Sequence, residues 1–428
     1  MLAIADFPSS PVFQRFSSSP FAVILHDAAS TASSPASVDV SDRYIVTLKT
    51  GVDVTRHMNL VHNLHTGAVG KRQDGRIFHG VSHQYNISNF QAYAGHFDNS
   101  VIEQLSSHQD VESVEPDQLL TLNDLAEDQQ TRSCFTCKRK GKIVTQKGAT
   151  WGLHHISHKN EEDPNKGEYL YDSSAGSGTY GYVLDSGIYT KHSDFGGRAS
   201  LGYNAMKTEK FEDNDGHGTH VAGIMGSKTY GVSKRCKLIA VKVVGTGNSS
   251  ASILLDGFDW AVNNIIRKKR QAKAVVNISL AIGKNEAINK AVDAAFAQGV
   301  TTVTSAGNYR VAASLFSPGS AKGAITVSST DENYSRAEMA NTGPAVAIFA
   351  PGVDILSTSI ENKKATAMKS GTSFASPYVA GLVLYLKTLH PLPDAEVTRN
   401  FLLNTATPGL VDAPGGAKNL YAYNGNGL

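Results

Sequence analysis

The sequence predicts an α/β domain, a doubly wound and mostly parallel sheet, preceded by a smaller α+β unit. Three observations carry that expectation. From Trp151 onward, short apolar runs alternate with amphipathic helical stretches, as in a sheet with helices on both faces. Between Arg43 and Leu122, strand-like and helix-like segments fill about 80 residues, enough to fold around a small core. The stretch between them, Asn123 to Thr150, is polar and basic.

Taken in order, residues 1–40 are rich in Ser, Ala and Pro without periodicity and are expected to be a leader or disordered arm. Their longest apolar run, Phe21 to Leu25, is shorter than the usual secretory core of about 7–15 residues. Tyr44 to Leu48 alternates like a half-buried strand. Val54, Met58 and Val61 recur at helical spacing, Phe90 to Phe97 suits a strand, and Val101, Ile102 and Leu105 suit a helix. Val111 to Glu115 closes this unit as a strand before Pro116. The expected division is an arm (1–40), the small unit (41–122), a linker (123–150) and the large domain (151–428). In the large domain, strands are expected over 182–184, 238–244, 274–280, 300–305, 324–328 and 346–349. One helix is expected to be capped by Ser252, with Leu254, Phe258, Ala261, Val262 and Ile265 on one face. Another carries Ile288, Ala291, Val292, Ala295 and Phe296 and stops at Gly299.

The formal net charge of +2 argues against a nucleic-acid partner, and no apolar run approaches the roughly 20 residues that span a bilayer. A monomer without membrane contact is expected. Three cysteines make no disulfide framework. Cys134 and Cys137 form a C-x-x-C in a basic stretch, but neither further zinc ligands nor a thioredoxin-like unit accompany them, which favours a flexible linker.

Ligands of such sheets bind outside the carboxyl ends of the strands. There the sequence places Asp185, Ser279 and Asn308. His217 lies in Asp213-Asn214-Asp215-Gly216-His217-Gly218-Thr219-His220, where flanking glycines allow close approach. His220, one turn on, competes with it or is a packed helix histidine. Ser373, in Ser370-Gly371-Thr372-Ser373-Phe374-Ala375-Ser376-Pro377, stands at the start of an apolar helix, where free N–H groups favour negative charge. Serine is also a common cap, so this run alone is ambiguous. Together the groups suit acyl transfer. A serine hydroxyl needs an imidazole to take its proton, the imidazole needs a carboxylate, and the oxyanion needs aimed donors. These roles fall to Ser373, His217, Asp185, and the Asn308 amide with the Ser373 N–H.

These runs, with Tyr182-Val183-Leu184-Asp185-Ser186-Gly187-Ile188 and Ser305-Ala306-Gly307-Asn308, resemble the subtilisin-like serine proteases, most closely the proteinase K-like fungal branch. The chain order Asp, His, Ser is that of subtilisin. The resemblance implies a seven-stranded parallel sheet and a serine-type endopeptidase of broad specificity, made as a zymogen. Residues 43–122 then resemble its inhibitory propeptide. Substrate is implied to lie as an extended strand between Ser279-Leu280-Ala281 and Gly247-Asn248-Ser249. The pocket is expected to be lined by Ala281-Ile282-Gly283 and Ala306-Gly307. Leu119 to Leu122 of the propeptide are expected to fill the same sites.

Departures from relatives qualify this. Ala281-Ile282 replaces Gly-Gly, so a smaller residue before the cut is expected. Asn248 heads a glycosylation sequon beside the cleft, and Asn86 and Asn333 head two more. Ala347 replaces the aspartate of the relatives' strong calcium site, so no cofactor and little calcium dependence are expected. Secretion is the expected destination, with a vacuolar lumen as the alternative. Activity is expected to rise as His217 loses its proton, near the ordinary imidazole value of about 6.5. Two rivals are a catalytically silent binding module of the same fold, and a nucleotide-binding α/β protein. The second lacks a G-x-G-x-x-G after the first strand.

Overall fold

The structure, a computed structural model, describes residues 38–69, 77–122, 125–127, 142–159, 167–246 and 248–426. The small unit runs β1 (Arg43–Leu48), α1 (Val54–Val69), β2 (Gly80–Ile87), β3 (Phe90–His96), α2 (Asn99–Ser106), β4 (Val111–Pro116). Its antiparallel sheet has the order β2-β3-β1-β4. β1 departs from the half-buried expectation, because Ile45, Val46, Thr47 and Leu48 are all buried. Successive strand residues face opposite sides. Val46 joins the unit's own core with Val61, Phe97 and Leu105. Ile45 joins Phe258, Ala261 and Val262 in a cluster belonging mostly to the large domain. Both faces of this sheet are therefore covered.

The chain continues through β5 (Leu119–Thr121), β6 (Leu125–Glu127), β7 (Ile143–Lys147), α3 (Trp151–His155) and β8 (Glu168–Asp172). β7 pairs antiparallel with β8, so the expected linker in fact supplies a strand to the large domain. The arm (1–37) and the Cys134/Cys137 pair lie outside the described residues.

The large domain follows as β9 (Tyr180–Asp185), β10 (Ala199–Asn204), α4 (His217–Gly226), β11 (Lys237–Lys242), β12 (Asn248–Ser250), α5 (Ala251–Arg267) and β13 (Ala274–Ile278). Then come β14 (Ile282–Gly283), α6 (Glu286–Ala297), β15 (Thr302–Ser305), β16 (Phe316–Ser317), β17 (Ala324–Thr330) and β18 (Ile348–Pro351). The last elements are β19 (Ile355–Thr358), β20 (Thr366–Ser370), α7 (Thr372–Leu389), α8 (Ala395–Thr405), β21 (Thr407–Pro408) and β22 (Leu420–Tyr421). The sheet order is β10-β11-β9-β13-β15-β17-β18-β22-β21. The first seven strands of that order are parallel, as expected. The two additional edge strands have two residues each, too few to show a period. β10 lacks the alternation of the expected strands: its sequence is interrupted by Gly202, and the successive residues Ser200 and Leu201 are both exposed.

The chain leaves β9 toward β10 and β11 on one side, then returns to β13 on the other. The carboxyl end of β9, where Asp185 sits, is thus the point at which the winding reverses. α7 crosses the interior and is buried from Thr372 to Lys387, which explains why it is apolar all round. The cap of α5 is Ser250 rather than Ser252: its hydroxyl accepts from the Ile253 N–H. Ser252 lies inside the first turn, where its hydroxyl donates to Asp117 of the small unit.

Candidate active site

Asp185 and His217 meet at the carboxyl end of β9. His217 Nδ1 lies 2.6 Å from Asp185 Oδ1, and both side chains are fully buried. The same carboxylate oxygen accepts from the Ser186 N–H at 2.8 Å, which fixes its rotamer. A carboxylate on Nδ1 leaves Nε2 as the ring nitrogen for proton exchange.

The turn before α4 holds the imidazole in place. Asp213 Oδ1 accepts from Ser186 Oγ and from the Gly216 N–H at 2.8 and 2.9 Å, and Oδ2 accepts from the Thr219 N–H at 2.9 Å. Gly216 caps the helix at φ 90°, a conformation that glycine adopts without strain. A Cβ on Gly218 would come 2.2 Å from the Gly187 carbonyl, so only glycine lets the helix pack this close to β9. Lys242, fully buried at the end of β11, donates to the Ser186 and Glu212 carbonyls at 2.9 and 3.1 Å. It ties the two loops carrying Asp185 and Asp213 together.

His220 does not compete. Its Nε2 lies 3.0 Å from both the Ile355 and Ala367 carbonyls, and burial, reinforced by Lys369, pushes its pKa down to about 3. It is a neutral, packed histidine. Cys236 is likewise inert, since burial pushes its thiol up to about 12.

Ser373 is the second residue of α7, at the positive end of a long helix. Its neighbour Phe374 packs against the His217 ring with centroids 5.3 Å apart. Its carbonyl accepts from Ser279 Oγ at 2.7 Å, so Ser279 supports the turn with its side chain. Asn308 Oδ1 accepts from the Thr372 N–H and the Thr372 hydroxyl, each at 2.9 Å. The Thr372 hydroxyl also accepts from the Gly307 N–H at 3.1 Å. The fully buried Asn341 holds the other side of this loop, donating to the Ala306 carbonyl and accepting from the Tyr309 N–H, both at 2.9 Å.

The end of the small unit crosses this site. β5 pairs antiparallel with β12, Leu120 opposite Ser249 and Thr121 opposite Asn248. Thr121 and Leu122 line one recess together with Leu280, Ala281, Asn308 and Ser373. Three residues further on, β6 pairs with β20, Leu125 opposite Ser370. Gly247, expected on the cleft edge, is outside the described residues. Ile282 is buried in one cluster with Leu280 and with Leu120 of the small unit's tail, beside the pairing of β14 with Ser317, and Gly283 is exposed.

Residues 176–425 match the Subtilase family, and residues 43–123 match Peptidase inhibitor I9. The chain is 45% identical to an alkaline proteinase of Hapsidospora chrysogena over 91% of its own length and 93% of that protein. It is 42% identical to alkaline protease 1 of Aspergillus oryzae, over 90% and 91% of the two chains. Among solved structures, a cold adapted subtilisin-like serine proteinase superposes with a TM-score of 0.60 at 32% identity, covering 65% of this chain and 98% of that one.

The chain belongs to the subtilase family. It is a serine endopeptidase made as a zymogen with an I9-type inhibitory propeptide. In this subtilase the sequence reading missed the supports of the site. Asp213 stands in an Asp-Asn-Asp-Gly turn, a recognisable signal. Asn341 and Lys242 had none, since a lone Asn in a loop and a lone Lys in a strand show nothing of their burial.

Proposed function

We propose that Asp185, His217 and Ser373 form the catalytic triad of a secreted endopeptidase of broad specificity. Ser373 Oγ attacks the scissile carbonyl while His217 Nε2 takes its proton. The Asn308 amide and the Ser373 N–H receive the oxyanion, and His217 returns the proton to the departing amine. Water then hydrolyses the acyl-enzyme by the same steps. The observation that carries this reading is the buried 2.6 Å contact between Asp185 and His217 at the carboxyl end of β9. A fluorophosphonate probe tests it: labelling confined to Ser373 is the expected result, and an unlabelled mature protein would favour the silent binding module.

Substrate recognition follows the propeptide in this reading. An extended peptide pairs with β12, and its side chain before the cut enters the recess beside Ala281. The Ala281 methyl lies 3.5 Å from where a Cβ on Gly307 would stand, which supports a narrow pocket and a small preferred residue. A peptide library showing Phe or Tyr preference would overturn that part. Maturation is proposed to cut between Leu122 and Leu125, the span between the β5 and β6 pairings, and N-terminal sequencing tests it. Asn86 and Asn333 are exposed sequon residues, which supports passage through a secretory lumen; endoglycosidase digestion of the cell-derived protein checks it. No cofactor is proposed. Ala347 packs against the main core and brings no carboxylate to the strand, so a calcium chelator is expected to leave the melting temperature of the mature domain nearly unchanged.

A further inference from the structure

We propose that the propeptide unit carries a transition-metal site, of the zinc class, formed by His57, His108 and Asp110. His57 comes from α1, and the other two from the turn joining α2 to β4. Their ligand atoms, one from each residue, all lie within 4.8 Å of one another. Asp110 Oδ2 is 3.4 Å from His57 Nδ1 and 3.8 Å from His108 Nδ1. A tetrahedral zinc with bonds of about 2.0–2.1 Å separates its ligands by about 3.3–3.4 Å, so small side-chain rotations close the set.

The surrounding bonds prepare both nitrogens. The Asp110 N–H donates to His108 Nδ1 at 3.2 Å, so that nitrogen carries no proton, and a bound cation would take the place of this weak bond. His57 Nε2 lies 3.2 Å from the Tyr93 hydroxyl. Donation to that oxygen leaves Nδ1 as the metal-binding atom, the outer-shell arrangement common to metal-bound histidines. His57 is fully buried, and Val61, Tyr93 and Leu105 form the apolar floor beneath it. On the outer side, the Arg56 guanidinium bonds both Asp110 oxygens at 3.2 and 3.1 Å. Its side chain is 62% exposed, so it can swing into solvent and yield a fourth position to water.

Such an ion would join α1 to the α2–β4 turn in a unit whose own core is small, a case where metals commonly supplement burial. At zinc 100-fold above its dissociation constant, the folded unit gains about 100-fold over its unfolded form. The regulatory consequence, a longer-lived inhibited zymogen, rests on the proposed blocking of the cleft; the binding itself does not.

The test uses the full chain carrying Ser373→Ala, titrated with zinc chloride by calorimetry and followed by thermal unfolding. One zinc per chain with micromolar or tighter affinity, and a raised melting temperature, are expected. His108→Ala, at a partly exposed position, should keep the fold by circular dichroism and weaken binding at least tenfold; His57→Phe should do the same with the apolar packing preserved. No stoichiometric binding, or binding that His108→Ala leaves unchanged, overturns the site. Because the readout is binding by an inactive chain, failure of the catalytic assignment would leave this result standing.

Discussion

The propeptide sheet and the peptidase sheet solve the problem of burial differently. The peptidase sheet is covered by its own helices, with α7 threaded through its interior. The propeptide sheet covers one face with α1 and α2 and presses the other onto α5 and α6. Tyr85 donates to the Ser252 carbonyl at 2.9 Å, and Asp259 accepts from the Asn86 N–H at 2.7 Å. Two propeptide carboxylates also reach helix starts: Glu115 accepts from the Glu286 and Ala287 N–H groups of α6 at 2.9 Å, and Asp117 from the Ser252 N–H of α5 at 3.0 Å. One unit is self-sufficient, whereas the other is completed by its neighbour. The propeptide is thus held both by its sheet face and by the tail that crosses the site.

The largest expected effect separates chemistry from that shared surface. Ser373→Ala should lower turnover on the order of 10⁶-fold, the scale of losing the nucleophile in subtilisin, while the chain stays unprocessed near 45.6 kDa on a gel. Normal processing of this variant would break the assignment. Asn308→Ala should reduce kcat about 100- to 1,000-fold with little change in KM, the scale of the matching donor in subtilisin. Equal loss in KM would point to substrate binding instead.

Smaller effects sharpen the comparison on the propeptide side. Glu115→Gln with Asp117→Asn removes charge from two helix starts, at about 0.3–1 kcal/mol each. The double variant should release active enzyme sooner, and kcat of the mature enzyme should not move. A separate prediction concerns the peptidase core in acid. His220 is held neutral to about pH 3 in the folded state, while the unfolded chain takes a proton below about 6.5. Stability attributable to this residue is therefore present above pH 6.5 and is lost as pH falls toward 3, up to tenfold in the unfolding equilibrium per pH unit. His220→Gln should flatten that acid limb in urea unfolding of the inactive chain; an unchanged limb would show another group in control.

Much of this was visible in the residues. Asp185, Ser279 and Asn308 could be placed because strand ends converge, Ser373 because it opens an apolar helix, and the helices α5 and α6 because their apolar stripes are regular. What stayed hidden depends on contacts between distant segments. Ile45 and Val46 look alike in the sequence, yet they serve different cores. The α5 cap was misassigned by two residues because Ser250 and Ser252 are equally good caps locally, and Asp117, 135 positions away, claims the latter.

The tail of the propeptide is gripped on both sides of Ser373, by β12 ahead of it and β20 beyond it. If maturation is the proposed cut between these two pairings, the reaction is intramolecular, at an effective concentration that no free peptide reaches. The first cleavage in each molecule is then first order, with a half-life that dilution does not lengthen. Once that bond is cut the covalent tether is gone, and only noncovalent contacts such as the pairing with β12 hold the propeptide tail in the cleft.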